Sequence, residues 1–266
     1  MSKVVLITGG SSGIGKSIGE FLTQKGFIVY GTSRNPLNYT NNKFKLVALD
    51  VNDRVTIADA VRTVIEAEGK LDVLVNNAGV GINGAIEEIP QEQIQHNFNT
   101  NFFGPINVIK AVLPQMRAQQ SGLVINITSI AGYMGLPYRG IYSASKGALE
   151  IVTEALRMET KDFGVQFTNI APGDFATNIA AGRYHAPVLK DSPYTKYPSV
   201  LKDIDDHVDN SSSPIAVAKK VHQVINTKKP KIHYKVGAPM QKFSIVLKFL
   251  LPDTMYEKLL LNHYKL

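Results

Sequence analysis

Three side chains in the middle of the chain, Ser129, Tyr142 and Lys146, have the types needed to pass a proton to a carbonyl oxygen. Tyr142 and Lys146 stand four apart in Tyr-Ser-Ala-Ser-Lys, and on a helix that spacing places both on one face. A phenol ionises too reluctantly for acid–base work near neutral pH unless a neighbouring ammonium stabilises its phenolate. A serine hydroxyl at the end of a facing strand can donate to an oxygen that gains negative charge. Tyr-x-x-x-Lys by itself is usually no more than a surface pair. The same residues contain Ser143-x-x-Lys146, the pairing of an acyl-transfer nucleophile with its base, but the companion S-D-N and K-T-G segments occur nowhere in the chain.

A second chemical signal lies near the start. An apolar run, Val4 to Thr8, leads into Gly9-Gly10-Ser11-Ser12-Gly13-Ile14-Gly15 and then into a helical pattern. Glycines let backbone approach a pyrophosphate, and the helix start offers free N–H groups and a partial positive charge. The next strand ends in Tyr30-Gly31-Thr32-Ser33-Arg34-Asn35. An acid there would accept from a ribose 2′-OH, whereas a cation would pair with a 2′-phosphate. Ser33 supplies no acid and Arg34 supplies the cation, so the segment reads as an NADP(H) site. Asn76-Asn77-Ala78-Gly79, after the fourth strand, is small and amide-rich enough to line the same cofactor.

These groups need a framework, and the chain has one. It is 266 residues long, 44% hydrophobic and 19% charged, with ordinary Gly and Pro usage, which fits one globular domain and excludes fibrous or disordered classes. The absence of Cys rules out disulfide frameworks, thiolate metal sites and cysteine nucleophiles. The six His form no H-E-x-x-H pair, and the acidic stretch around Asp205 lacks the Gly and Glu of a calcium loop, so no metal is expected. Short β-branched runs begin near Val4, Phe27, Phe44, Leu71, Leu123, Val165 and Ile232. Most are continuously apolar, the pattern of strands covered on both faces. Helical spacing over 13–25, 53–68, 91–119, 140–163 and 214–226 separates them, which predicts an α/β fold: a seven-stranded, doubly wound parallel sheet. The last of these helices is predicted to start with Ser213 as N-cap and Pro214 as its first residue.

Two segments fall outside that alternation. Residues 174–213 contain three prolines and read as an irregular substrate lid. Residues 239–266 form a basic, amphipathic tail in which Phe243, Val246, Leu247 and Leu250 share one helical face. The formal net charge of +7 is concentrated toward this end of the chain, since residues 228–266 hold eight Lys against Asp253 and Glu257. The apolar face is expected to pack on the chain's own pocket or a second subunit, with weak contact to anionic lipid through its Lys residues. No nucleic-acid partner is expected. No apolar run is long enough to span a membrane and the N-terminus lacks a leader pattern, so the reading is cytoplasmic.

Taken together, Thr8-Gly9-x-x-x-Gly13-x-Gly15, Asn76-Asn77-Ala78-Gly79, Ser129, Tyr142-x-x-x-Lys146 and Pro172-Gly173 resemble the short-chain dehydrogenase/reductase family from residue 3 to about 236. The resemblance implies hydride transfer between NAD(P) and a ketone or secondary alcohol. It implies Tyr142 as proton donor, Ser129 holding the substrate oxygen, and Lys146 promoting ionisation of the Tyr while binding the nicotinamide ribose. Asn101 takes the place of the helical Asn that supports the proton relay. Asp50 and Val51 lie beside adenine, Asn77 lines the cofactor, and Pro172, Gly173 and Thr177 hold its nicotinamide end. Ser33 occupies the position of the acid found in NAD-preferring members. With Gly31-Thr-Ser-Arg34 and Leu251-Pro252, the sequence resembles the branch of hydroxysteroid and retinol dehydrogenases and long-chain acyl-ketone reductases, so the expected substrate is apolar. Tyr133, Met134, Leu136, Tyr138, Phe175, Ile179, Tyr184 and His185 are its candidate walls. The family also implies a homodimer or homotetramer packed through the helices at 91–119 and 140–163. The competing reading is an NADP(H)-binding regulatory or membrane-surface module without turnover.

Overall fold

A computed structural model of the chain describes residues 2–39, 43–174, 182–209 and 213–266. Its centre is a seven-stranded sheet in which every neighbouring pair is parallel. The strands are β1 (Val4–Ile7), β2 (Ile28–Ser33), β3 (Lys45–Ala48), β4 (Val73–Asn76), β6 (Gly122–Ile127), β7 (Val165–Pro172) and β9 (His233–Val236), in spatial order β3-β2-β1-β4-β6-β7-β9. The helices between them are α1 (Gly13–Gln24), α2 (Arg54–Glu68), α3 (Gln91–Phe98), α4 (Gly104–Ala118), α5 (Gly140–Glu159) and α7 (Ile215–Ile225).

Alternate residues of each strand serve opposite faces, so a continuously apolar strand builds two cores. Val4 and Leu6 pack with Ile57, Val61 and Val64 of α2 and Val108, Ile109 and Val112 of α4. Val5 and Ile7 pack with Ile14, Ile18 and Leu22 of α1 and Val217, Val221 and Val224 of α7. The chain winds outward from β1 in one direction through β2 and β3 and returns through β4 in the other. The crevice at that reversal, at the carboxyl ends of the strands, is where such sheets hold ligands.

Most of the predicted strands and helices stand within a residue or two of their expected places, but the helix expected over 140–163 ends at Glu159, ahead of a 3₁₀ turn at Lys161–Phe163, and other segments differ as well. The helix expected over 91–119 is interrupted by a π-helical turn at Asn99–Phe103, which separates α3 from α4. The segment expected to be irregular contains α6 (Tyr197–Asp209), whose Tyr197, Val200 and Ile204 are buried at helical spacing. Its Tyr184–His185 forms β8, paired with β5 (Ile82–Asn83). In α7 the N-cap is Pro214 and the helix starts at Ile215, one residue later than expected. The tail forms two helices, α8 (Pro239–Leu250) and α9 (Asp253–Tyr264), divided by Pro252.

Candidate active site

The turn after β1 is shaped by backbone that only glycine adopts without strain. Gly9 and Gly13 have φ of +65° and +53°, in the left-handed region. A Cβ on Gly15 would collide with the Gly9 carbonyl and the Asn77 amide. Ser12 caps α1 without a side-chain hydrogen bond, and the first turn carries no acid. Its N–H groups therefore point, unscreened, to where an anion would sit. An open cavity of about 290 Å³ begins there, lined by Gly9, Ser11, Ser12, Gly13, Ile14, Ser33, Arg34, Asp50, Val51, Asn77, Ala78 and Gly79. These residues fit a dinucleotide: a phosphate cradle at one end, a cation beside it and small residues along the floor.

Thr8 and Gly15 are not part of that wall. Thr8 is buried beneath it, its hydroxyl accepting from the backbone N–H groups of Asn77 and Ala78 at 2.9 and 3.0 Å. The Asn77 amide donates to the carbonyls of Thr8 and Gly9, so these residues brace the turn. Thr177 lies outside the described residues.

A second cavity of about 60 Å³ adjoins the first, and the two share Ile14, Asn77, Gly79 and Val80. Ser129, Tyr142, Lys146, Pro172 and Gly173 all line it. Ser129 stands just past β6 in extended backbone, its Oγ accepting from the Ala131 N–H at 3.2 Å. Lys146 is buried on α5, and its Nζ donates to the Ile127 carbonyl at 3.0 Å. Burial lowers its pKa to about 8, with the nearby Glu150 carboxylate opposing the shift. Gly79 admits this arrangement, since a Cβ there would stand 3.2 Å from Lys146 Nζ and 3.1 Å from Asn101 Oδ1.

Asn101 is fully buried in the π-turn, whereas Asn99 is exposed. Its Oδ1 accepts from the Val80 N–H at 2.8 Å, and its Nδ2 donates to the Val80 carbonyl at 2.9 Å and to Ser145 Oγ at 3.2 Å. Ser145 in turn donates to the Tyr142 carbonyl at 3.0 Å. Asn101 thus ties the cavity wall to the helical turn that carries Tyr142 and Lys146. Single π-turns inside helices recur at functional sites. Ser143, the nucleophile of the acyl-transfer reading, is buried and absent from the cavity wall.

Sequence reasoning missed the ionic rim. Arg139, Asp174 and Arg183 line the second cavity. The Arg139 guanidinium lies 5.7 Å from the centre of the Tyr142 ring and 3.8 Å from Asp174 Oδ1. Asp174 also accepts from Gln241 Nε2 of α8 at 2.9 Å, and Arg139 bonds the phenol of Tyr264 at the end of α9. Burial raises the Tyr264 pKa, with Arg139 opposing. The expected walls lie elsewhere. Met134, Tyr133 and Leu136 pack against α8 and α9, and Tyr138 and Tyr184 pack with Tyr197. None of these lines the cavity, nor does His185: a 3₁₀ turn at Ile130–Tyr133 follows Ser129, and Tyr184 and His185 are held in β8. Phe175 and Ile179 lie outside the described residues.

The family model for short chain dehydrogenases matches residues 3–187. This chain belongs to the short-chain dehydrogenase/reductase family. The 3-ketodihydrosphingosine reductase of Bacteroides thetaiotaomicron is 39% identical to it over 96% of this chain and 95% of the relative. An NADPH-dependent 3-dehydrocapnine reductase of Ornithobacterium rhinotracheale is 33% identical over 99% and 98%. A crystal structure of a short-chain dehydrogenase from Streptomyces avermitilis superposes with a TM-score of 0.83 at 30% identity, covering 100% of this chain and 96% of that one. As a short-chain dehydrogenase/reductase, the chain is an oxidoreductase that binds a nicotinamide cofactor, and the reading as a module without turnover is set aside.

Proposed function

We propose that this short-chain dehydrogenase/reductase is an NADP(H)-dependent reductase of a ketone with an apolar body and a polar end. The observation that carries the reading is the meeting of Ser129, Tyr142 and Lys146 on one cavity that continues into a cofactor-sized cavity edged by Arg34. A reduced nicotinamide bound there supplies the hydride for the carbonyl carbon. The Ser129 hydroxyl donates to the carbonyl oxygen and fixes its position, and the Tyr142 phenol delivers the proton that turns it into the alcohol. The Lys146 ammonium stabilises the phenolate left behind, and Asn101 holds the turn of α5 on which both stand. Val80, Ile82 and Ile127 provide the apolar wall, while Arg139, Asp174 and Arg183 provide the ionic one. The names of the two relatives, both reductases and one NADPH-dependent, support the reductive direction. Exposed Phe103, Ile151 and Met158 on and around α4 and α5 support assembly of a homodimer or homotetramer through those helices.

The test is consumption of NADPH, and of NADH in parallel, with ketones graded from short and polar to long-chain. Preference for NADPH with turnover that rises with chain length is expected. Tyr142→Phe should lower turnover about 100-fold or more while NADPH binding stays near wild type. A Phe variant with near wild-type turnover removes Tyr142 from the reaction.

A further inference from the structure

The outer face of α8 is apolar, the reverse of an ordinary surface helix, whose apolar stripe faces the core. Met240 is 73% exposed, Phe249 75% and Leu250 73%, with Phe243 and Val246 nearly half exposed. The inner face is made instead by Gln241, Ser244, Ile245 and Lys248, with Leu247 packed at its edge. Ile245 packs with Ile130, Met134 and Ala171, Gln241 bonds Asp174, and the Lys248 ammonium covers the Tyr256 ring. Of the face expected to pack on the pocket or a second subunit, Leu247 packs on the chain, while Phe243, Val246 and Leu250 stay exposed. α9 adds exposed Met255 and Leu259, one turn apart. A contiguous apolar surface of this kind marks an interaction site.

Charge selects the occupant. Lys242 sits within the exposed face and Lys258 is exposed on α9, and residues 239–266 hold four Lys against Asp253 and Glu257, a net +2. A two-fold contact between copies sets a surface against itself, bringing like charges together. An anionic lipid surface instead complements both the lysines and the aromatic side chains. Among the described residues no helix is long and apolar enough to cross a membrane, so a helix of twelve residues would lie in the interface plane.

We propose that the outer face of α8, extended by α9, docks on an anionic lipid bilayer and sets the rim of the reaction cavity beside that surface. Two bonds hold the helices to the rim, Gln241 to Asp174 and Arg139 to Tyr264. Docking rests on the composition of the surface alone. That the bilayer is also the source of the ketone rests on the reductase reading.

Flotation of the full chain with phosphatidylcholine vesicles, with and without phosphatidylglycerol, tests it. The protein should float with the phosphatidylglycerol vesicles at low salt and stay behind with phosphatidylcholine alone. Leu250→Glu and Lys242→Glu should each weaken binding about tenfold, with melting temperature and NADPH binding unchanged, because both side chains point outward. No flotation of the wild type, or equal flotation of both variants, overturns the proposal. So does a multimer that Leu250→Glu splits into smaller species, which would assign the face to a second copy. Turnover of a short water-soluble ketone, measured without vesicles, separates the two readings: flotation without turnover removes the reductase reading alone, and turnover without flotation removes the docking.

Discussion

Arg34 and Ser33 decide cofactor choice if the larger cavity holds NADP(H) as proposed. Removing a charge-assisted phosphate contact costs about 1.5–3 kcal/mol, so Arg34→Ala should weaken NADPH binding roughly ten- to a hundredfold and leave NADH nearly untouched. Ser33→Asp should move preference further toward NADH, because a carboxylate repels the 2′-phosphate and accepts from a 2′-OH. Fluorescence titration with both cofactors checks each outcome, and equal affinities for the two in the wild type would defeat the assignment. Behind the site a second polar cluster has a pH signature of its own. Glu150, one helical turn past Lys146, is buried, accepts from the Thr128 hydroxyl at 2.5 Å, and pairs with His233 Nδ1 at 3.2 Å. His233 Nε2 pairs with the more exposed Glu154 at 3.0 Å. The hydrogen bond to Glu150 leads in raising the His233 pKa, against the effect of burial. A base whose folded-state pKa is raised lends stability that is complete below its unfolded value near 6.5 and is lost as pH climbs through the folded value. Denaturant unfolding should therefore show stability falling as pH rises above about 6.5, and His233→Asn should flatten that fall. Lys146 acts oppositely and later, its lowered pKa making the native state gain from about pH 8 upward. A wild-type curve identical in shape to that of His233→Asn would refute the first assignment.

At the scale of elements, what was legible in the sequence is what local pattern encodes. Apolar runs such as Val4 to Ile7 and Val124 to Ile127 are buried on both faces, and the glycine turn between β1 and α1 carries its own backbone requirements. Tyr142 and Lys146 were legible because helical spacing brings them together. The π-turn was not, since its flanking residues Phe98 and Gly104 have ordinary right-handed helical dihedrals and nothing in Asn-Thr-Asn-Phe-Phe marks the break. α6 was hidden because Pro193 and Pro198 suggest a loop, although Pro198 falls in the first turn, where its missing N–H costs nothing. The ionic rim was invisible for a different reason: Arg139, Asp174, Arg183 and Tyr264 converge only through tertiary folding. The glycine turn yields the sharpest test at this scale. Gly15→Val places a branched side chain against the Gly9 carbonyl and the Asn77 amide, so it should abolish measurable NADPH binding by displacing the turn. Gly26→Ala is the control for a glycine of positive φ with open space around it, and it should cost about 1 kcal/mol of stability with cofactor affinity intact. Undiminished NADPH binding by the Val variant would mean that the turn does not form the cradle.

Across the whole molecule, the chain's last turn reaches back over its catalytic face. Tyr264 of α9 meets Arg139 beside Tyr142, and Lys265 pairs with Asp203 of α6 at 2.9 Å. The Lys265 to Asp203 pair is exposed and contributes little stability by itself. Its consequence is positional, because it joins α9 to α6 on the side where Tyr197 of α6 donates to the carbonyls of Asn83 and Ala186. The cofactor cavity shares none of these residues. Deleting residues 262–266 should accordingly leave NADPH affinity unchanged, while Arg139 loses its Tyr264 partner at the rim. KM for long-chain ketones is expected to rise several-fold, with little change for a short ketone that does not extend to the rim. Tyr264→Phe should reproduce part of that rise, since it removes the acceptor for Arg139 but keeps the ring. Steady-state kinetics on the two ketone classes, beside an NADPH titration of each variant, reads the outcome. A uniform loss across substrates, or a loss of cofactor binding, would show that the last turn supports the fold and has no part in selecting the substrate.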